Sequence, residues 1–164
     1  MQDRIERMKA EWAREYPGLD SGVMATVGAL LQAGRLLEKH WLAPFAARFS
    51  LQKGEFDVIA TLRRAGAPYE LTPTDLYEGL LMTSSAMTSR LDRLEAAGLI
   101  ERRPDPADRR GVRVRLTPGG LDLINEIVPQ HVANELAALA SLDPRERSEL
   151  DRLLAKVIQG LAKG

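Results

Sequence analysis

Apolar positions along this chain recur mostly at helical spacing, interrupted once by a short alternating stretch. In 3–15, Ile5, Met8 and Trp12 fall at i, i+3 and i+7 among charged residues, which predicts an amphipathic helix ended by Tyr16-Pro17-Gly18. A long helix is expected over 21–47, with Val23, Val27, Leu30, Leu31, Leu37, Trp41 and Leu42 as its apolar positions and Pro44 where a bend would fall. A third is expected over 51–65. Its run Phe56-Asp57-Val58-Ile59-Ala60-Thr61-Leu62 sets a carboxylate among apolar neighbours.

Capping chemistry marks the next two. Thr72 precedes Pro73, a pair suited to a helix start, and Gly79 lies near the end of that short helix. Thr83 or Ser84 then caps a helix running to Ala97, with Gly98 as the residue that ends it. At 100° per residue, Met87, Leu91 and Leu94 share one stripe, and Ser85, Thr88, Ser89, Asp92 and Ala96 take the opposite face. Leu99-Ile100-Glu101-Arg102-Arg103 and Val112-Arg113-Val114-Arg115-Leu116 then flank a turn rich in Pro, Asp and Gly, which predicts a β-hairpin with one apolar and one cationic face. Thr117-Pro118 opens a helix with Leu121, Ile124, Val128, Val132, Leu136 and Leu139 as apolar positions and a kink at Pro129. After Asp143-Pro144 a last helix repeats Leu150, Leu154, Val157 and Leu161 in a heptad-like seam.

Helix, turn, helix and basic hairpin in that order describe a winged helix-turn-helix. The fold class is therefore mainly α with a small β-wing, flanked by N- and C-terminal dimerisation helices. The terminal helices are poorly placed to cover so small a domain and still hide their own apolar faces, so a homodimer is expected. The chain divides into an extra N-terminal helix (1–18), a dimerisation helix (19–50), the winged helix-turn-helix (51–117) and C-terminal dimerisation helices (118–164).

Charge sharpens this picture. The chain has a formal net charge of +0, yet 101–115 holds six Arg (102, 103, 109, 110, 113, 115) against three acids (101, 105, 108), a net of +3. Arginine forks onto phosphate or enters a narrow minor groove. The short hydroxyl side chains Ser85, Thr88 and Ser89 would let their helix sit deep in a major groove, with Arg93 near phosphate. Double-stranded DNA is the expected partner. There is no Cys, the two His (40 and 131) lack ligand spacing, and neither a phosphate loop nor a nucleophilic triad is recognisable, so no metal, cofactor or enzymatic activity is expected. No run approaches a membrane span and the charged N-terminus lacks a signal core, so a cytoplasmic, nucleoid-associated protein is expected, with no membrane partner.

Asp57 has two readings. It pairs with Arg90, at the border of the apolar stripe, and ties that helix to the scaffold, or it is solvated while Arg90 contacts phosphate.

The segment 91–100, Leu-Asp-Arg-Leu-Glu-Ala-Ala-Gly-Leu-Ile, followed by Asp105-Pro106-Ala107-Asp108-Arg109-Arg110-Gly111 and Val112-Arg113-Val114-Arg115-Leu116-Thr117, resembles the MarR family of bacterial transcriptional regulators. The resemblance implies a dimer reading a pseudo-palindrome, with Arg110 in the minor groove, Arg109 on phosphate and Asp108 bracing the wing through a salt bridge. Within that family the chain is similar to the urate-responsive subgroup, which carries an extra N-terminal helix with a Trp, an Asp before the helix-turn-helix and two Arg beyond it. Trp12, Asp57, Arg90 and Arg102 occupy those positions, and 54–66 with Tyr69 and 71–74 adds to the likeness. The implied mechanism is a repressor released by urate or a related purine such as xanthine, stacked on Trp12 and hydrogen-bonded to Arg90 or Arg102 while repelling Asp57. Two rivals are a MarR-type regulator answering phenolic or other lipophilic aromatic acids, and a winged-helix protein–protein adaptor.

Overall fold

The computed structural model describes residues 2–52, 54–108 and 111–162. The chain forms two compact units, Met1–Phe56 and Asp57–Gly164.

In the first unit, α1 (Gln2–Glu15) packs along α2 (Ser21–Leu37). Asp20 caps α2 by accepting the Gly22 and Val23 N–H groups. The long helix expected over 21–47 is one path with a change of winding: a π-helical turn, Glu38–Leu42, separates α2 from α3 (Ala43–Ala47). The physical reason is Pro44. It has no N–H to donate, and just before it Ala43 N–H reaches five residues back to the Glu38 carbonyl. Ala25, Phe45, Ala46 and Leu51 are the buried apolar residues of this unit.

The third helix starts later than expected. α4 is Glu55–Arg64, because 52–55 closes as a turn: Gln52 N–H donates to Glu55 Oε2 at 2.6 Å, Glu55 N–H donates to the Gln52 carbonyl at 3.0 Å, and Gly54 sits at φ +75°. Glu55 is only 4% exposed.

The second unit is the winged helix. Thr72 caps α5 (Pro73–Gly79) in a full capping box with Asp75, whose carboxyl is held below its ordinary value by the Thr72 hydroxyl and N–H. Thr83 caps α6 (Ser84–Ala96), which ends at Gly98 with φ +70°. Met87, Leu91 and Leu94 are all at most 2% exposed, and Val58, Ile59, Leu62, Leu76, Ile100, Val114, Ile124 and Ile127 are buried residues of the same unit.

The hairpin is β2 (Ile100–Pro104) and β3 (Val112–Leu116). A two-residue strand that the sequence did not announce, β1 (Glu70–Leu71), completes an antiparallel sheet in the order β1-β3-β2. α7 (Pro118–Ala138) is capped by Thr117, runs through Pro129, and precedes α8 (Pro144–Leu161), capped by Asp143. Only the first turns of α7 are buried, through Gly120, Ile124 and Ile127. Val128, Val132, Leu136 and Leu139 are exposed, as are Leu150, Leu153, Val157, Ile158 and Leu161 of α8. The expected apolar positions of α7 thus lie outside the core beyond its second turn, and Ile127, absent from the expected set, lies inside.

Candidate nucleic-acid interface

The strand register sorts the wing's arginines by face. Ile100 pairs with Leu116, Arg102 with Val114 and Leu71 with Val114, so Arg102 shares the sheet face of the core residues. That face meets α6. Arg102 bonds to Asp92 at 2.7 Å and to Glu95 at 2.6 Å, while its backbone N–H donates to the other Glu95 oxygen at 3.0 Å. Loss of surrounding water opposes the Arg102 charge, and the hydrogen bonds to Asp92 and Glu95 outweigh that, so its pKa rises above the ordinary guanidinium value. The wing is thereby fastened to α6 by an ionic bracket.

The other face carries Glu101, Arg103, Arg113, Arg115 and Glu70. Arg115 pairs in register with both Glu70 and Glu101, and Arg103 lies opposite Arg113. Two carboxylates relieve that like-charge pair: Glu101 binds Arg103 at 2.6 Å, and Asp105 binds Arg113 at 2.9 Å. Asp105 also accepts the Ala107 N–H at 2.8 Å, and its own N–H donates to the Gly111 carbonyl at 3.0 Å. The Ala107 N–H first, then Arg113, hold its carboxyl below the ordinary range against the effect of desolvation. Asp105 is therefore a wing brace that sequence reading missed, beside Asp108, whose carbonyl accepts the Gly111 N–H at 2.8 Å. Arg109 and Arg110 lie outside the described residues; the sequence places them between Asp108 and Gly111, on the connection that Asp105 closes.

The exposed face of α6 is as expected. Ser85, Thr88, Ser89 and Asp92 are exposed. Thr88 donates to the Ser84 carbonyl at 3.0 Å, Ser85 and Thr83 hydroxyls lie 3.3 Å apart, and half-buried Arg93 donates to Ser89 Oγ at 3.3 Å. Thr83, Ser85, Thr88 and Ser89 thus carry short hydroxyls on the exposed part of α6 and its cap.

The Asp57 to Arg90 tether is not formed. Asp57 is exposed, and Arg90 donates instead to the Met82 sulfur, ahead of its own helix. Phe56 is half-buried while Val58 and Ile59 are buried, so the inward arc of α4 passes just beside Asp57. Asp57 lines a cleft of about 290 Å³ with Ala60, Thr61, Arg64, Gly79 and Leu80. Of the four residues matched to the urate-responsive subgroup, Arg102 is engaged by two carboxylates and Arg90 by none among the described residues. Trp12, in the first unit, is half-buried on α1, with its ring centroid 5.8 Å from that of Tyr16.

A family model described as MarR family matches residues 49–111, the helix-turn-helix and most of the wing. The chain is 40% identical to the HTH-type transcriptional regulator PecS of Dickeya dadantii, over 90% of this chain and 88% of that one. It is 31% identical to the multiple antibiotic resistance protein MarR of Escherichia coli, over 80% and 90% respectively. The chain belongs to the MarR family. The fold agrees: a mutant of Escherichia coli MarR, crystallised in complex with operator DNA, superposes with a TM-score of 0.69 over 89% of this chain and 96% of that one at 28% identity. Bordetella bronchiseptica BpsR, solved to explain regulation of its DNA binding by 6-hydroxynicotinic acid, superposes at 0.68 over 80% and 91%, with 31% identity. The protein is a MarR-type DNA-binding transcriptional regulator, and these relatives lend no support to the adaptor reading.

Proposed function

We propose that this MarR-family protein is a homodimeric repressor that sits on a pseudo-palindromic operator and is released by urate or a related purine such as xanthine. What carries the reading is the state of the two arginines: among the described residues Arg90 has no carboxylate partner, whereas Arg102 brackets α6 through Asp92 and Glu95. A purine anion would therefore be met first by Arg90, with the exposed Asp57 carboxylate repelled, and would reach Arg102 by competing with Asp92 and Glu95. Weakening that bracket would loosen α6 from the wing, the two elements that read DNA. A ligand shifts the equilibrium only by its differential affinity for the bracketed and loosened states. Trp12 supplies the stacking surface that the subgroup resemblance implies. Ser85, Thr88 and Ser89 enter the major groove with Arg93 near phosphate, Arg109 contacts phosphate and Arg110 the minor groove, with Asp108 bracing the wing. Exposed apolar residues on α2, α7 and α8 supply the dimer surface.

The test is a gel-shift titration on the protein's own upstream intergenic DNA with urate, xanthine, salicylate and 6-hydroxynicotinate in parallel. Release by urate or xanthine that is lost in Trp12→Phe, Asp57→Asn and Arg90→Gln supports the assignment; full release retained in all three removes it. The second reading, an aromatic acid effector, is favoured by the regulation of BpsR by 6-hydroxynicotinic acid, and release by the acids alone would establish it.

A further inference from the structure

The first unit contains a cleft that the purine reading does not use. It opens along the α1 and α2 contact, has a volume of about 810 Å³, and is lined by residues of those two helices alone. Met8, Gly28 and Leu36, all half-buried, form its apolar floor. Arg7 on α1 and Arg35 on α2 stand at its margin, with Glu11 as the one acid. Among the described residues neither arginine has an ion pair, although surface arginines elsewhere do: Arg14 binds Glu15, Arg152 binds Glu149 and Arg103 binds Glu101. Two guanidiniums without ion pairs against one carboxylate leave the cleft with net positive charge over an apolar floor, complementary to an anion with an apolar body. Its size falls in the range of small-molecule sites, roughly 300–1,000 Å³. Gly28 and Arg35 are two helical turns apart, about 10.5 Å at 1.5 Å per residue, the length of a fused bicyclic acid.

Most of the cleft's arc lies away from the exposed apolar positions of α2. On the α2 wheel Gly28, Gln32, Arg35 and Leu36 share one arc, and exposed Val23, Val27 and Leu30 lie about 100° or more from Gly28, while exposed Met24 and Leu31 border both. A small residue keeps the floor open. A Cβ at Gly28 would make ordinary contact with Met8 Cε at 3.8 Å, so any longer side chain there would enter the cleft.

We propose that the α1 and α2 cleft binds an organic carboxylate with an apolar, ring-sized body, held by Arg7 and Arg35 over Met8, Gly28 and Leu36. None of Asp57, Arg90 and Arg102 is among its lining residues, and the proposal does not depend on the purine reading.

The probe is 2-naphthoate, titrated into the full chain by isothermal titration calorimetry, with uncharged 2-naphthol as its companion. Saturable naphthoate binding should weaken at least tenfold in Arg7→Gln/Arg35→Gln, which removes the charge. It should weaken at least tenfold also in Gly28→Leu, which fills the floor with a good helix former. Naphthol should bind more weakly and ignore the arginine changes, and Arg145→Gln, at an exposed position of α8, should bind naphthoate as the unaltered chain does. Circular dichroism and operator binding establish that each variant is folded. No saturable binding, undiminished binding in both cleft variants, or an equal loss in Arg145→Gln would overturn the proposal.

Discussion

Replacing Arg102 with Met isolates the bracket between wing and α6. Methionine keeps an apolar stem beside Val114 and removes the guanidinium contacts to Asp92 and Glu95 at 2.7 and 2.6 Å. The two contacts are not equal. Glu95 is 38% exposed and Asp92 60%, so water screens the second more. A part-shielded pair of this kind contributes about 1 kcal/mol and a largely exposed one about 0.5 kcal/mol. Two like charges left three residues apart on one helix add about 0.3 kcal/mol of repulsion. The backbone bond from Arg102 N–H to Glu95 survives the change, because it needs no side chain at position 102. The net expectation is a loss of about 2 kcal/mol. At about 2–4 °C per kcal/mol for a chain of this size, that lowers Tm by about 4–8 °C.

Differential scanning calorimetry, without effector and at low salt, reads this directly. The same Arg102→Met change made in an Asp92→Asn/Glu95→Gln background should lose less than about 0.5 kcal/mol, since the interaction partners are already neutral. Equal losses in both backgrounds would show that Arg102 acts through packing alone and would refute the ionic bracket. A fall in Tm under about 1 °C would refute it as well.

Four further outcomes follow from the same geometry. Gly120→Ala places a Cβ 1.9 Å from the Leu99 carbonyl oxygen, so the first turn of α7 must shift; urea unfolding should show a loss of about 3 kcal/mol, and an unchanged midpoint would contradict the close approach. Asp105 has a lowered folded pKa, so its ionised form stabilises the wing above the unfolded value and that stability is lost as pH falls through the folded pKa. The stability gap between the native chain and Asp105→Asn should be level from about pH 7 to 5 and close below about pH 4, where a gap persisting into strong acid would count against the brace. Val157→Glu sets a charge on an exposed apolar position of α8; sedimentation should show at least a tenfold weaker dimer, and an unaltered dimer would exclude this face from the interface. Arg110→Ala should weaken operator binding and flatten its dependence on salt by about 0.9 log unit for each phosphate no longer neutralised, with no change in Tm; equal affinity and slope would remove the tip of the wing from the DNA interface.

Much of the winged helix could be read from residue order because its signals are local. Thr72-Pro73, Thr83 and Thr117-Pro118 each satisfy helix-start N–H groups through a side chain a few residues away, and Gly98 adopts the positive φ that ends α6. The stripe of Met87, Leu91 and Leu94 needs only helical periodicity. What escaped depends on pairing across the chain. Arg102 faces inward because its strand partner is Val114, a register that no local pattern specifies, and only then do Asp92 and Glu95 become its partners. Two residues of β1 are too short to show alternation. Asp57 reads as a candidate for burial by its apolar neighbours, yet helical geometry turns it outward between half-buried Phe56 and buried Val58. Asp105 and Asp108 are near-equivalent in sequence; the turn decides that Asp105 accepts the Ala107 N–H and, with its side chain 8% exposed, receives Arg113.

The wing's net charge of +3 therefore overstates the charge that its flanks offer to DNA. Arg102 is neutralised by Asp92 and Glu95 of α6, which lie outside that count, whereas Glu101 and Asp105, held by Arg103 and Arg113, are already in it; Arg115 lies in register with Glu101 and with Glu70, which is outside it. Arg102 and Arg113 serve the internal geometry: the first holds the wing to α6, and the second holds β3 to the turn that follows β2. In the proposed reading Arg109 and Arg110 meet the phosphate field, beside a helix whose exposed hydroxyls carry no charge. Such a protein should depend on shape and a few charge contacts more than on bulk attraction. Its specific binding should lose less affinity with salt than that of a regulator with a broadly basic surface.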